Sequence, residues 1–384
     1  MIHLYTEHLK NIRTLSIQAY LSTPSNDTTK VSIDGSSSIL TLTHDGESAS
    51  VHLPVTLHNA SAVLPIPKNP AKELHFRVPV EGVGSQVNGN ASHSLEDANF
   101  VPWTGDVLTD ETEIRCQCCA SVIIPRGRVT QWKDLPSDGW AEMMDFWHCH
   151  KPDEPHSHDH AHSSKGYAAG SQLALQPGVG MVAVMSFLLT PQDCDNIELL
   201  PQSDQAAEDY STICCAHCHT SLGQTRASTQ GYELRKPQLS LSPSPDGPFA
   251  TYDRQQWFAC QLLNAVDTQG VRKFTAYEST SSPESPALKL WLFAADLDIT
   301  SSFKPTVQPI RVAKILWQDC ENSIGATEKL TGSVLSEGEI KFQASELALL
   351  RHALEESGAL LPPAARTFQR WKVGLLEKFV PARI

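Results

Sequence analysis

Residues 115–123 read Arg115-Cys116-Gln117-Cys118-Cys119-Ala120-Ser121-Val122-Ile123, and residues 213–223 read Ile213-Cys214-Cys215-Ala216-His217-Cys218-His219-Thr220-Ser221-Leu222-Gly223. Each stretch carries a Cys-x-x-Cys pair, Cys116/Cys119 and Cys215/Cys218. Two thiolates at this spacing reach one tetrahedral Zn²⁺ from a single tight turn, and a second such turn from far along the chain closes the coordination sphere. A structural zinc staple held by Cys116, Cys119, Cys215 and Cys218 is therefore expected in the middle of the protein. Strand-like residues follow both pairs, Ser121 to Ile124 and Thr220 to Gly223, which favours two knuckles over a helix-borne site. The ligand register stays open, because Cys118 and Cys214 stand beside the pairs and His217 and His219 flank Cys218.

A thioredoxin-like redox pair would need a strand before the motif and a helix after it. Cys116 is followed instead by an apolar, β-branched run and then by Pro125 and Gly127. At 384 residues the chain is long enough for more than one core, since single cores rarely grow beyond about 250–300 residues. The formal charge of −13 argues against direct nucleic-acid binding, because phosphate recognition needs clustered cations. The opening stretch, Met1 to Thr14, has no apolar signal region, and the longest apolar run, Val179 to Leu189, is about half a membrane span. A protein of the cytoplasm or nucleus, with no membrane segment, is expected. Its ten cysteines then read as reduced thiols and metal ligands rather than as disulfides.

The fold class expected is α+β in three parts: a β-rich domain over 1–110, a zinc-stapled central region over 111–235, and an α+β domain over 249–384. Alternating runs at Ser38–Thr43, Val51–Val55 and Leu74–Val80, with turn signals at Asp34-Gly35 and Asp45-Gly46, predict strands and hairpins of a sandwich or half-barrel. Gly82 to Asn99 reads as a loop, and Val179 to Leu189 as one buried strand. Trp140, Met143, Met144 and Trp147 recur at helical spacing, with both tryptophans expected in a core. The 151–170 loop carries His156, His158, His160 and His162, for which a solvated tract is the simplest reading. Lys236 to Pro248 has the Pro/Ser density of a linker. Helices are expected over Arg254–Val266 and Ser345–Ser357, the latter capped by Ser345 and stopped by Gly358. The steps among Phe368, Trp371, Leu375, Leu376 and Phe379 predict a third helix, docked on a core.

Four segments together carry a resemblance that spans the chain. They are Trp132-Lys133-Asp134-Leu135-Pro136-Ser137-Asp138-Gly139-Trp140 leading into Met144-Asp145-Phe146-Trp147-His148-Cys149-His150-Lys151-Pro152, the two cysteine stretches, and Leu361 to Glu377. With these the chain resembles the HECT-like E3 ubiquitin ligases also called E2-binding proteins. The resemblance implies a protein that binds a ubiquitin-conjugating enzyme (E2) and promotes transfer of ubiquitin to protein lysines. It also implies, as an alternative, a non-catalytic binding or chaperone-like partner of the endonuclease of mRNA 3′-end processing.

A ligase of this type needs a thiolate that accepts ubiquitin, and a neighbouring base or cation favours that ionised form. Cys149, with His148 and His150 on either side and Lys151 nearby, fits the need best. The same His-Cys-His run is also zinc-ligand material, so Cys149 and His150 stand as alternatives in the metal set. True HECT domains keep their catalytic cysteine near the C-terminus, whereas no cysteine follows Cys320 here. Other enzyme classes fit less well: Gly178-Val179-Gly180 lacks the rest of a dinucleotide fingerprint, and no phosphate loop or nucleophile elbow occurs.

Overall fold

A strand buried on both faces must carry apolar side chains at odd and even positions, because successive residues point to opposite sides of a sheet. Ile310–Glu321 does so. Ala313, Ile315 and Trp317 enter one core, while Val312 and Leu316 enter another. Its neighbour Pro286–Ser301 behaves alike, with Leu288, Leu290 and Leu292 on the first side and Leu297 and Ile299 on the second. A computed structural model describes residues 1–34, 38–57, 62–80, 100–136, 174–200, 211–226, 230–278, 285–321, 337–343 and 345–381. Most of its regular structure is β-sheet, with two α-helices among the described residues, α1 (Arg254–Gln269) and α2 (Glu346–Gly358).

The chain divides into two units, one formed by Met1–Phe100 with Phe258–Ile384 and one by Val101–Trp257. In the first, a long sheet runs in the order Thr367–Phe368, Trp371–Glu377, Ile310–Glu321, Pro286–Ser301, Ile2–Leu9, Thr14–Leu21, Glu73–Pro79. Residues assigned by sequence to separate parts, 1–110 and 249–384, thus pair strand to strand, with Tyr5 opposite Ser301. Helices α1 and α2 cover one face through Phe258, Leu262, Leu350 and Leu354. A four-stranded sheet, Glu47–His52, Ile39–His44, Lys30–Asp34 and Ala62–Leu64, shares a core with Ile2–Leu9 and Thr14–Leu21 through Leu4, Ile17, Val31 and Leu42.

The C-terminal segment corrects the expected third helix. A 3₁₀ turn at Pro363–Arg366 leads into the hairpin of Thr367–Phe368 with Trp371–Glu377. The step from Trp371 to Leu375 suits a helix or a strand equally, and Val373 between them resolves it: all three enter one core while Leu376 enters the opposite one. At Gly374 an added Cβ would stand 2.8 Å from both Leu354 Cδ2 and Leu354 O, so α2 packs directly on the strand backbone. Ser345 does precede α2, but without a side-chain cap; Glu346 reaches back to accept from the Gln343 N–H at 3.2 Å.

In the second unit a seven-stranded sheet runs Gln131–Asp134, Val179–Val182, Ser186–Leu189, Gly231–Arg235, Ser221–Arg226, Thr212–Cys215, Ile197–Leu200. Val179 to Leu189 is therefore a hairpin rather than one strand. Gly180 lies under the Trp132 ring, 2.5 Å from where a Cβ would be, which accounts for a glycine at that position. A three-stranded sheet orders Leu239–Ser242, Glu113–Cys116 and Val122–Ile124. Its first strand overturns the linker reading of 236–248: Leu239 to Ser242 are all buried, as are Lys236, Pro237 and Gln238 before them. Pro and Ser here mark a tight entry into a core strand.

Candidate metal centre

Glu113–Cys116 and Thr212–Cys215 each run into the turn that carries their cysteine pair. The two turns share one backbone pattern. Cys116 N–H donates to Ser121 O at 2.8 Å and Ala120 N–H to Cys116 O at 2.9 Å; Cys215 N–H donates to Thr220 O at 2.9 Å and His219 N–H to Cys215 O at 2.8 Å. Ala120 and His219, at φ 60° and 58°, take the left-handed conformation that usually selects glycine. Their lack of glycine hides this equivalence in the sequence.

Asn196 bridges the turns. Its carbonyl accepts from Ala216 N–H and its side-chain amide donates to Val122 O, both at 2.8 Å. Beside it, Asp195 N–H donates to Ile123 O at 2.8 Å. Sequence reasoning passed over this residue, since a lone Asn in a polar loop carries no metal signal. Its left-handed φ of 55° is visible only in the fold.

The four sulfurs meet as a result. Cys116 Sγ lies 3.7 Å from Cys218 Sγ and Cys119 Sγ 3.6 Å from Cys215 Sγ, and all four lie within 4.8 Å of one another. A tetrahedral Zn²⁺ with Zn–S bonds of about 2.3 Å sets its sulfurs about 3.8 Å apart. The cluster could hold a metal ion, and its spacing suits that geometry. Burial pushes the Cys116 thiol up to about 12, whereas hydrogen bonding with Thr220, whose Oγ1 lies 3.3 Å from Cys218 Sγ, brings Cys218 down to about 6. One thiol resists ionisation while another invites it, and a bound cation favours the thiolate at every position.

The other thiols stand apart from this group. Cys118 is exposed and Cys214 is buried, one residue out of phase with Cys215 on its strand. His217 is exposed, and His219 Nδ1 pairs with Glu198 Oε2 at 2.8 Å. Burial, then the carboxylates of Asp193 and Asp195, raise Cys194 to about 12. Cys260 is buried in α1. Cys149, His148, His150, Trp140, Trp147 and the histidines of 151–170 lie outside the described residues. No helix among the described residues is long and apolar enough to cross a membrane.

Against this geometry, a model of the family described as HECT-like ubiquitin-conjugating enzyme (E2)-binding matches residues 7–373. An uncharacterized protein of Saccharomyces cerevisiae is 25% identical over 308 residues, covering 80% of each chain. An uncharacterized protein of Schizosaccharomyces pombe is 24% identical over 342 residues, covering 85% of this chain and 89% of its own. A Bos taurus protein named as an E3 ubiquitin-protein ligase is 23% identical over 288 residues, covering 68% and 72%.

Proposed function

The chain belongs to the HECT-like ubiquitin-conjugating enzyme (E2)-binding family, and from that premise we propose that it binds a ubiquitin-conjugating enzyme and promotes transfer of ubiquitin to protein lysines. The observation that carries the reading is the reach of the family match, residues 7–373, across both units. The name of the bovine relative supports the ligase half of it.

In this reading Cys116, Cys119, Cys215 and Cys218 form two zinc knuckles around one Zn²⁺, whose role is structural: it ties the three-stranded sheet to the seven-stranded one within Val101–Trp257. Four thiolates fill a closed tetrahedral site and leave no open position for a reacting water or substrate. They also leave Cys149 and His150 without a place in the sphere, which supports reserving the Cys149 thiol for chemistry. The Cys149 thiolate attacks the carbonyl of the ubiquitin thioester, a new C–S bond forms, and the E2 cysteine leaves as thiolate. A substrate lysine amine then attacks the new thioester, Cys149 leaves, and the amine proton passes to a base such as His148 or His150.

The test is to mix the full chain with ubiquitin-charged E2 and resolve the products on a non-reducing gel. A thiol-sensitive ubiquitin adduct on the wild type, absent from Cys149→Ser at unchanged zinc content, is the expected result. E2 capture with no adduct would leave binding as the activity and remove the transferase step.

A further inference from the structure

One surface of the unit formed by Met1–Phe100 and Phe258–Ile384 has a shape the fold itself does not require. Leu292 pairs with Ile315 and Ala294 with Lys314, so Phe293 is the extra residue of a β-bulge. Bulges re-aim a side chain, and this one turns a phenylalanine outward, 47% exposed. Phe293 is not isolated there. Its ring centroid is 5.8 Å from that of Phe368, itself 42% exposed on the edge strand, and 5.8 Å from Trp291, which lies 6.1 Å from the buried Trp371. Four rings thus run from the core to solvent, and the outer two are presented side by side.

The charge around the rings differs from that of the whole chain. Residues 361–376 contain Arg366, Arg370 and Lys372 and no carboxylate, in a chain of net charge −13. Lys273 sits over the Trp291 ring at 4.9 Å. Arg370 is exposed at the hairpin turn, beside Gln369 in a left-handed conformation at φ 54°. Part of this charge is offset, since Lys372 lies 3.5 Å from Asp319 and Arg366 is occupied by the Leu361 and Ala359 carbonyls. Arg370 is the exposed cation of this hairpin placed to meet a partner.

We propose that Phe293, Phe368 and Arg370 form the docking face for the ubiquitin-conjugating enzyme, packing an apolar side chain against the two exposed rings and taking a carboxylate at Arg370. This rests on the E2-binding reading above and adds its location. Paired exposed aromatics with a neighbouring Arg are the composition of interface hot spots, and the local positive charge selects an acidic contact. The net charge of −13 disfavours the other use of such rings, stacking of single-stranded nucleic acid.

The experiment titrates the full chain into a panel of fluorescently labelled E2 enzymes and follows anisotropy. Wild type is expected to bind at least one, Phe293→Ser and Phe368→Ser each to weaken that binding about tenfold or more, and Arg370→Glu to weaken it severalfold. Ile12→Ser, which removes an apolar residue 62% exposed elsewhere, should leave it unchanged. All variants should keep the wild-type melting temperature and zinc content. Should Phe293→Ser perturb the bulge, Phe368→Ser and Arg370→Glu decide alone. Wild-type affinity in those variants overturns the location while leaving the E2-binding reading intact. A wild type that binds no E2 overturns both. Binding of a labelled oligouridine that is lost with the two rings, while E2 binding survives, would reassign the surface to nucleic acid.

Discussion

The strands of the two units are built to different lengths, and the way each unit is held together follows from that. In the unit of Met1–Phe100 and Phe258–Ile384 the central strands run for 16 and 12 residues, and apolar side chains cover both of their faces. In Val101–Trp257 the strands have three to six residues. A three-residue strand such as Val122–Ile124 offers one or two side chains to each face, too few to anchor it by burial alone at about 25 cal/mol per Å². That unit adds point attachments to its buried side chains: the Asn196 bridge, Asp193 accepting from Thr190 Oγ1 at 2.7 Å and from Gly178 N–H at 2.8 Å, and a cluster of four sulfurs that could hold a metal ion. Cross-links restrain a chain at single positions, whereas a two-faced strand spreads its stabilisation over many.

The contrast is broken most directly at the cysteines. Cys215→Ala should release the Zn²⁺ proposed above and remove stabilisation on the order of 10 kcal/mol, the scale of structural zinc binding in finger peptides. Hydrogen exchange should show Glu113–Cys116 and Thr212–Cys215 losing protection while Ile2–Leu9 and Ile310–Glu321 keep theirs. Equal loss in both units would end the distinction. Strong chelation of the wild-type protein should reproduce the same pattern.

In the other unit the largest single loss expected is at Trp317, 1% exposed. Trp317→Ala should cost about 3–5 kcal/mol in denaturant unfolding. Trp317→Phe should cost much less, because the indole N–H is buried without a partner among the described residues and its removal relieves an unsatisfied donor. A large loss for Trp317→Phe would mean that this N–H is bonded after all.

Acid sharpens the comparison by a smaller amount. Burial acts to raise the Asp296 carboxyl, but the Arg311 guanidinium, Lys10 and Lys378 outweigh it and hold the group down at about 2, from 3.8. A depressed carboxylate stabilises the fold above its unfolded value and loses that contribution as pH falls through the folded one. The window is therefore from about pH 4 down to about pH 2. The shift corresponds to about 2 kcal/mol, which solvent screening of a side chain 22% exposed trims to about 1–2 kcal/mol. Asp296→Asn should flatten the stability profile in this window, and an unchanged profile would rule the cluster out. The smallest effect belongs to the exposed pair of His219 and Glu198, 68% and 41% exposed. Glu198→Gln should change stability by less than about 1 kcal/mol and leave zinc content unchanged.

Much of the candidate metal site was legible in the sequence because ligand spacing is a local property. A Cys-x-x-Cys pair declares its own turn, whatever packs around it. Asn196 was not legible, since its role is to hold two turns that the chain separates, and neither turn lies near it in sequence. The helix read into Leu361–Phe379 failed for a related reason. Its spacing was compatible with two periods, and the deciding partner, Ile310–Glu321, pairs with it across some sixty residues. Leu239–Ser242 failed because Pro and Ser report local backbone preference and say nothing about a buried neighbour such as Glu113–Cys116.

The sequence by itself determined the β-rich start of the chain, the two Cys-x-x-Cys spacings, the two α-helices and the family, all of which depend on residues close together or on motifs matched one by one. Only the tertiary structure decided that the two ends of the chain build one unit, that four particular sulfurs converge while Cys118 and Cys214 stay out, and that Phe293 and Phe368 face solvent together. Each of these depends on strand pairing across long separations, where the free energy comes from side chains meeting in space. A one-residue change in register would send every side chain of a strand to the other face, and nothing in the local pattern records which register wins.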